Sequence, residues 1–128
     1  MRALFHPPIE DVTVETVLHA LSDPVRVAIF GQIAGSGREQ TCSDFLVVRG
    51  QGIPKSTLSR HFRVLREAGL IRSERHGVEM RNATRCAEIE GRFPGLIPSI
   101  VNALRIQSRL AKTRPNKSSR GAGAKVAQ

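Results

Sequence analysis

The chain has 128 residues and 40% hydrophobic content, which is enough for one compact domain with tails and makes a second core unexpected. Its formal net charge is +9 and its sequence pI is about 11.2, so we expect an anionic partner, either nucleic acid or an acidic membrane surface. Tryptophan and tyrosine are absent, which disfavours single-strand binding by aromatic stacking and favours double-stranded DNA.

The sequence predicts neither a membrane-spanning helix nor a signal peptide. No apolar run approaches the roughly 18 to 20 residues of a spanning helix, and the N-terminal residues lack the charged start and apolar segment of a signal peptide. We therefore expect a cytoplasmic protein. Cys42 and Cys86 are too few for a disulfide framework and would stay reduced in that compartment.

The first third of the chain predicts two helices. Residues 1–10 include two consecutive prolines and predict an extended lead-in. Asp11 or Thr13 can cap a first helix, whose apolar residues recur at helical spacing between positions 14 and 21. Asp23 can cap a second helix with Pro24 at its first position, and the glycine-rich residues 35–37 end it.

A third, short helix is expected to begin near Cys42. Residues 41–44 have the hydroxyl-x-x-acid form of a capping box, and the apolar residues 45–48 follow. Residues 49–53 contain two glycines and predict a turn, after which Pro54 opens another helix. Two helices joined by such a turn predict a helix-turn-helix.

The helix after Pro54 is amphipathic. Leu58, Phe62 and Leu65 recur at i, i+4 and i+7 and define an apolar face, and Gly69 can adopt the left-handed conformation that ends the helix. The opposite face carries hydroxyl and guanidinium groups, at Ser56, Ser59, Arg60 and Arg63. This face suits the major groove of DNA, where arginine can bond guanine and hydroxyls can reach phosphates or base edges. The alternative is an ordinary solvated helix face.

Residues 70–75 and 79–84 predict a two-stranded wing. They flank His76 and Gly77, and glycine supplies the positive φ that a tight hairpin turn requires. Four basic side chains of the wing could reach the DNA backbone or minor groove: Arg72, Arg75, His76 and Arg81. The alternative is a plain solvated hairpin.

The last helix is expected to begin near Pro98 and to continue toward Leu110. Its apolar edge, formed by residues 97, 101 and 104, needs a partner, which we expect to be the symmetry mate together with the first helix. The predicted organisation is a lead-in over residues 1–10, a DNA-binding and dimerisation domain over residues 11–110, and a basic disordered tail over residues 111–128.

Two segments resemble the ArsR-type (arsenic-repressor-like) winged helix-turn-helix regulators. Residues 21–26, Leu-Ser-Asp-Pro-Val-Arg, are similar to the Leu-x-Asp-Pro-x-Arg opening of that family, and residues 56–71 are similar to its recognition helix and the start of its wing. The resemblance covers about residues 11–110. It implies a mainly α fold with a small β-hairpin wing, dimerising through the first and last helices. The implied function is that of a homodimeric bacterial repressor that binds an inverted-repeat operator in duplex DNA and is released by an effector.

The resemblance and the helical face together predict which residues contact DNA. On the recognition helix they are Lys55, Ser56, Thr57, Ser59, Arg60, His61 and Arg63, and on the wing Arg72, Arg75, His76 and Arg81. His61 lies at the edge of the apolar face, so it could bond a phosphate or brace the helix. Both roles remain open at this point.

The chain departs from the family at its metal sites. Metal-sensing members carry Cys-x-Cys-Asp-Leu before the recognition helix, whereas residues 41–45 of this chain read Thr-Cys-Ser-Asp-Phe. Other members bind zinc between terminal helices through Asp, His and Glu, and residues 98–112 contain none of these. We therefore expect no metal and no cofactor. The effector stays unknown; Cys42 and Cys86 could form a redox pair if folding brings them together.

Two alternative functions belong to other classes. A winged-helix protein-interaction adaptor would bind a protein tightly and DNA without sequence preference, its charge conferring solubility alone. An enzyme is not expected, because the sequence has no Ser/His/Asp arrangement, no phosphate-binding glycine loop and no metal-ligand spacing. The favoured hypothesis is a regulator of transcription that responds to a non-metal or redox signal.

Overall fold

The computed structural model describes residues 4–36, 40–41, 47–48 and 51–113. The chain divides into two units, one ending at Pro94 and the other beginning at Gly95. The helices of the first unit are α1 (Val14–Ala20), α2 (Pro24–Ser36), α3 (Lys55–Glu67) and α4 (Cys86–Arg92), preceded by a 3-10 turn at Ile9–Asp11. Its strands are β1 (Gln40–Thr41), β2 (Val47–Val48), β3 (Gln51–Gly52), β4 (Ile71–His76) and β5 (Glu79–Thr84). The second unit contains α5 (Leu96–Thr113).

The first two helices begin at side-chain caps. The Thr13 hydroxyl accepts the backbone N–H of Thr16 at 3.1 Å, so Thr13 rather than Asp11 caps α1. The Asp23 carboxylate accepts the backbone N–H groups of Val25 and Arg26 at the start of α2. The predicted cap of α2 is therefore confirmed, and the helix ends inside the predicted glycine-rich segment.

A Schellman motif ends α3 at Gly69. This glycine has a φ of +84°, and the N–H groups of Gly69 and Leu70 donate to the carbonyls of Arg66 and Leu65. The turn directs the chain into β4. The helix stop predicted from the sequence is confirmed at the predicted residue.

The wing is an antiparallel hairpin of β4 and β5. Ile71 pairs with Thr84 at its base and His76 with Glu79 at its tip, and β1 adds a third strand along β5, in the order β1-β5-β4. Gly77 has a φ of +66° in the turn. The predicted fold class, mainly α with a β-hairpin wing in a winged helix-turn-helix, is confirmed.

The core of the first unit joins the helices to the wing base. Its buried apolar side chains come from α1, α2, α3, β4 and α4, namely Val17, Ala20, Ile29, Phe30, Ile33, Leu58, Phe62, Leu65, Ile71 and Ile89, with Val12 before α1 and Leu70 after α3. The three residues predicted for the apolar face of α3 are all among them. Burial of that stripe leaves the opposite face of α3 outward.

The prediction of a helix near Cys42 is wrong at residues 47–48, the part of that segment that the structure describes. Val47 and Val48 form β2, which pairs antiparallel with Gln51 and Gly52. The β-branched valines favour an extended backbone. The remainder of that predicted helix, residues 42–46, lies outside the described residues.

Two other elements differ from expectation. Residues 86–92 form α4, a helix that the sequence did not predict. Gly91, Pro94 and Gly95 are residues typical of turns, and Ile89 is the single buried apolar residue of α4, so no apolar stripe indicated a helix. α5 begins at Leu96, so Pro98 lies within its first turn, where its missing N–H leaves no intrahelical bond unmade. The helix continues through residues 111–113, the first three residues of the predicted tail. Among the described residues, no helix has the length and hydropathy needed to cross a bilayer.

Candidate nucleic-acid interface

The exposed face of α3 carries the chemistry that duplex DNA requires. Six of the seven predicted recognition-helix residues are exposed, namely Lys55, Ser56, Thr57, Ser59, Arg60 and Arg63. Because α3 buries its opposite stripe, these side chains share the outward surface of one rigid helix. We call this set the recognition face.

The guanidinium groups of the recognition face have no partner among the residues that the structure describes. Within the described part of the chain, the side chains of Arg60 and Arg63 form no hydrogen bond and no ion pair. An exposed arginine without a protein partner retains all five N–H donors for a ligand. These are the donors that bond guanine edges or phosphate oxygens in a bidentate manner.

His61 differs from the rest of the recognition helix. It is half-buried, and its Nδ1 lies 3.3 Å from Nη1 of Arg26 on α2. Burial, helped by the charges of Arg26 and Arg60, holds the pKa of His61 below its usual 6.5, although Asp23 acts in the opposite direction. In its neutral form Nδ1 can accept the Arg26 N–H. Of its two open roles, this geometry favours bracing the helix.

Arg26 connects three helices. Its Nε donates to the carbonyl of Ala20 at 2.8 Å, and its Nη2 lies 3.4 Å from the carbonyl of His19, so it occupies the carboxyl end of α1. Asp23 lies 3.8 Å from Nη1, and the same carboxylate caps α2. Arg26 is 9% exposed, and the sequence marked it as part of a motif without showing this role. Its contact with His61 positions the recognition helix.

Ion pairs distinguish the basic residues of the wing. Arg72 lies 3.2 Å from Glu88 of α4, Arg81 3.5 Å from Glu79, and His76 3.6 Å from Glu74. Arg75 is exposed and forms no ion pair with a described residue. Arg75 therefore differs from the other three basic residues of the wing, each of which lies beside a carboxylate.

Arg85 was missed by the sequence analysis. It is 4% exposed, donates from Nε and Nη2 to both carboxylate oxygens of Glu88, and donates from Nη1 to the carbonyl of Pro7 at 2.8 Å. Hydrogen bonds from Arg85 and Arg72, opposed by burial, lower the pKa of Glu88. Because Pro7 is 78 residues away along the chain, no local pattern could have identified that contact.

The structure describes one cysteine of the predicted redox pair. Cys86 is a half-exposed free thiol at the first residue of α4, and Cys42 lies outside the described residues. In the described ranges, no three His, Cys, Asp or Glu side chains cluster as ligands of a metal ion.

A buried apolar stripe beneath an outward basic helix, followed by a β-hairpin, defines a winged helix-turn-helix protein. Residues 21–74 match a family model described as a helix-turn-helix domain. The chain is 32% identical over 84 residues to the uncharacterized HTH-type transcriptional regulator YceK of Bacillus subtilis (strain 168), an alignment that covers 66% of this chain and 82% of YceK.

Solved structures share the fold. An ArsR-like transcriptional regulator from Rhodococcus sp. RHA1 matches with a TM-score of 0.52 at 21% identity, over 77% of this chain and 89% of that one. Rv0081 of M. tuberculosis matches with a TM-score of 0.54 at 23% identity, over 81% and 98% of the two chains. The chain belongs to the helix-turn-helix transcriptional regulators, and its fold is similar to that of the ArsR-like regulator from Rhodococcus. It is a transcriptional regulator with a helix-turn-helix DNA-binding domain, a class that acts through DNA binding.

Proposed function

We propose that this regulator is a homodimeric repressor that binds an inverted-repeat operator through the recognition face of α3. The observation that carries the proposal is the availability of Arg60 and Arg63, which are exposed and form no ion pair or hydrogen bond with a described residue. An α-helix fits the major groove of B-DNA, where such arginines distinguish guanine from other bases. Binding there would block transcription when the operator overlaps a promoter.

The other residues of the proposed interface serve different parts of the DNA. Ser56, Thr57 and Ser59 lie in the first turns of α3 and suit phosphate oxygens or base edges, and Lys55 suits phosphate. Arg75 of the wing would reach the flanking backbone or minor groove. Arg72, His76 and Arg81 would contribute after exchanging their carboxylate partners for phosphate.

The proposed dimer rests on exposed apolar side chains in each unit. Leu18 of α1 is 51% exposed, and Ile106 and Leu110 of α5 are 54% and 62% exposed. A second copy of the chain would remove this apolar surface from water. Two-fold symmetry would then present two recognition helices about one helical turn apart, which matches a palindromic site.

The release signal is proposed to be a non-metal or redox signal. If the thiols of Cys42 and Cys86 meet, two thiols and one hydrogen peroxide molecule would yield one disulfide and two water molecules. Operator binding by the peroxide-treated protein would fall and would recover with dithiothreitol. A Cys86→Ser variant that loses affinity to the same extent under peroxide would exclude this pair.

The experiment that tests the proposed function is selection of bound fragments from sheared DNA of the source organism. The best fragment is then titrated at several salt concentrations beside random DNA of equal length. A two-fold symmetric site that keeps a large preference over random DNA as salt rises would support the proposal. Uniform binding that disappears with salt would show counterion release alone and would favour the protein-interaction adaptor.

A further inference from the structure

The segment that precedes α1 contacts the base of the wing. Nε2 of His6 accepts the backbone N–H of Ser73 at 3.0 Å, and the carbonyl of the buried Pro7 accepts Nη1 of Arg85 at 2.8 Å. Residues 4–8, named here the N-terminal strap, are thus bonded both to β4 and to the residue before α4. These bonds join positions more than 60 residues apart along the chain.

The strap satisfies a buried donor on an edge strand. Among the described strands, β4 is at the edge of its sheet and pairs with β5 alone, so the outward N–H groups of β4 need other acceptors. Ser73 is 2% exposed, which keeps water from its backbone. His6 therefore supplies the acceptor that a further strand would otherwise provide.

Ser73 also links the strap to the recognition helix. Its hydroxyl lies 2.6 Å from Oδ1 of the fully buried Asn82 on β5, and Nη1 of Arg66 on α3 lies 3.5 Å from the same hydroxyl. The side-chain amide of Asn82 donates in turn to the carbonyl of Met80. A displacement of β4 at Ser73 would be transmitted to both strands of the wing and to one edge of α3.

The surroundings of His6 oppose its protonation. The charged groups facing it are Arg66 from α3, Arg72 and Glu74 from β4, and Arg85 from the segment before α4. Burial is the largest influence, and the three arginines add to it, so together they hold the pKa of His6 below 6.5, while Glu74 acts in the opposite direction. The neutral imidazole with an unprotonated Nε2 is the form that accepts the Ser73 N–H.

We propose that His6 is a positioning residue for the wing and that its protonation releases the N-terminal strap, lowering the preference for operator DNA at mildly acidic pH. The imidazolium carries a hydrogen on Nε2, which would face the hydrogen of the Ser73 amide, so the bond cannot survive in that form. The effect on DNA rests on the proposed function, in which the wing contacts the operator. The bond itself does not.

The first test follows the bond without DNA. In an NMR titration of the full chain from pH 7.5 to pH 5.0, the amide resonance of Ser73 and the ring resonances of His6 should move together, with one midpoint below 6.5. The protection factor of the Ser73 amide, which corrects for the pH dependence of intrinsic hydrogen exchange, should fall over the same range. A Ser73 amide that stays unchanged while His6 titrates would overturn the proposal.

The second test measures DNA. The ratio of the Kd for random DNA to the Kd for the selected operator fragment is determined at pH 7.5 and pH 5.5, because the ratio cancels the general attraction of added positive charge. The wild-type ratio should fall by about fivefold between the two pH values, the lower end of typical couplings between two binding events. The His6→Gln variant cannot titrate and should change by less than about twofold.

A His19→Gln variant is the matched control. The His19 side chain is exposed on α1 and bonds neither the wing nor α3, so this variant should keep the wild-type pH profile. His61 is present in all three proteins, so its own titration cancels in the comparison. Identical profiles for wild type and His6→Gln would overturn the positioning role. Absence of operator preference at any pH would reject the proposed function instead, and the NMR titration would still decide the His6 bond.

Discussion

Nη1 of Arg26 lies 3.3 Å from Nδ1 of His61. This contact connects the first turn of α2 to the recognition helix. The two residues are 35 positions apart in the chain. The same guanidinium bonds the end of α1, so one buried side chain sets the positions of three helices. The orientation of the recognition face therefore depends on a residue that lies away from it.

Replacing Arg26 with glutamine should destabilise the protein. The change leaves the carbonyls of His19 and Ala20 and the Asp23 carboxylate without their cationic donor in a buried setting. We expect a loss of about 2 to 4 kcal/mol in the free energy of unfolding, measured by urea denaturation. An Arg105→Gln variant on the exposed surface of α5 should change this free energy by less than about 0.5 kcal/mol. Equal effects of the two changes would contradict the role given to Arg26.

The His61 contact predicts a pH dependence of stability. Because the folded state lowers the pKa of His61 below the value of 6.5 expected in the unfolded chain, the unfolded state binds a proton first as pH falls. The stabilising contribution is fully present above pH 6.5 and is lost as pH falls through the lowered folded pKa. Urea denaturation at pH 7.5 and pH 5.0 measures this loss.

A His61→Asn variant separates this effect from other titrating groups. Its amide oxygen can accept the Arg26 N–H from nearly the position of Nδ1 but does not titrate. The loss of stability between the two pH values should be smaller in this variant than in the wild type. The variant should also keep operator affinity within about threefold if His61 braces the helix. A large loss of affinity with a smaller salt dependence would instead assign His61 to a phosphate.

Local patterns in the sequence predicted the elements that local physics determines. The Thr13 and Asp23 caps, the apolar stripe of α3, the Gly69 stop and the Gly77 turn each depend on residues a few positions apart. The long-range contacts of Arg26, Arg85 and His6 depend on tertiary packing, so the sequence did not show them, although it marked Arg26 as part of a motif. The recognition face could be predicted because burial of one helix face exposes the other. The carboxylates that lie beside Arg72, His76 and Arg81 could not be predicted in this way.

Arg60 and Arg63 should contribute to operator affinity in distinguishable ways. An arginine that reads a base should lose about 1 to 3 kcal/mol of binding free energy on substitution by alanine and relax specificity at one position. One that bonds phosphate should weaken binding to all sequences alike and reduce the salt dependence. Titration of Arg60→Ala and Arg63→Ala against the operator and a scrambled duplex assigns each residue.

Arg92→Ala is the charge-matched control for these variants. Arg92 is exposed on α4, and its guanidinium lies 4.8 Å from the ring centroid of Phe93, away from the recognition face in the chain. It removes the same single charge, so its effect on operator affinity reports the general electrostatic contribution. An Arg60→Ala variant that behaves like Arg92→Ala on both duplexes would remove Arg60 from the interface.

On the wing, Arg75→Ala should weaken operator binding more than Arg72→Ala. Arg75 has no ion pair among the described residues, whereas Arg72 is held by Glu88. We expect about 1 kcal/mol of binding free energy from Arg75 and a lower salt dependence in its absence. Arg72→Ala should mainly lower the free energy of unfolding, by about 0.5 kcal/mol because this ion pair is exposed. A larger loss of affinity from Arg72→Ala would show that Arg72 leaves Glu88 for DNA.

The two glycines of positive φ around the wing predict different tolerances to alanine. At Gly69, with a φ of +84°, an added Cβ would collide with Cγ2 of the buried Val12, whereas at Gly77, with a φ of +66°, it would meet open space. Gly77→Ala should therefore show the left-handed backbone penalty alone, about 1 to 2 kcal/mol in the free energy of unfolding. Gly69→Ala adds displacement of a packed side chain and should lose about 1 to 3 kcal/mol more.

A Val12→Ala substitution tests whether that collision causes the difference. The Val12→Ala protein lacks the two Cγ atoms that the added Cβ would meet. In that protein, Gly69→Ala should lower the free energy of unfolding only by the backbone penalty expected for Gly77→Ala. Urea denaturation of the two single variants and the double variant gives the coupling energy directly. Strictly additive effects would mean that the turn after α3 moves away from Val12 without strain, and that Gly69 is required for its backbone conformation alone.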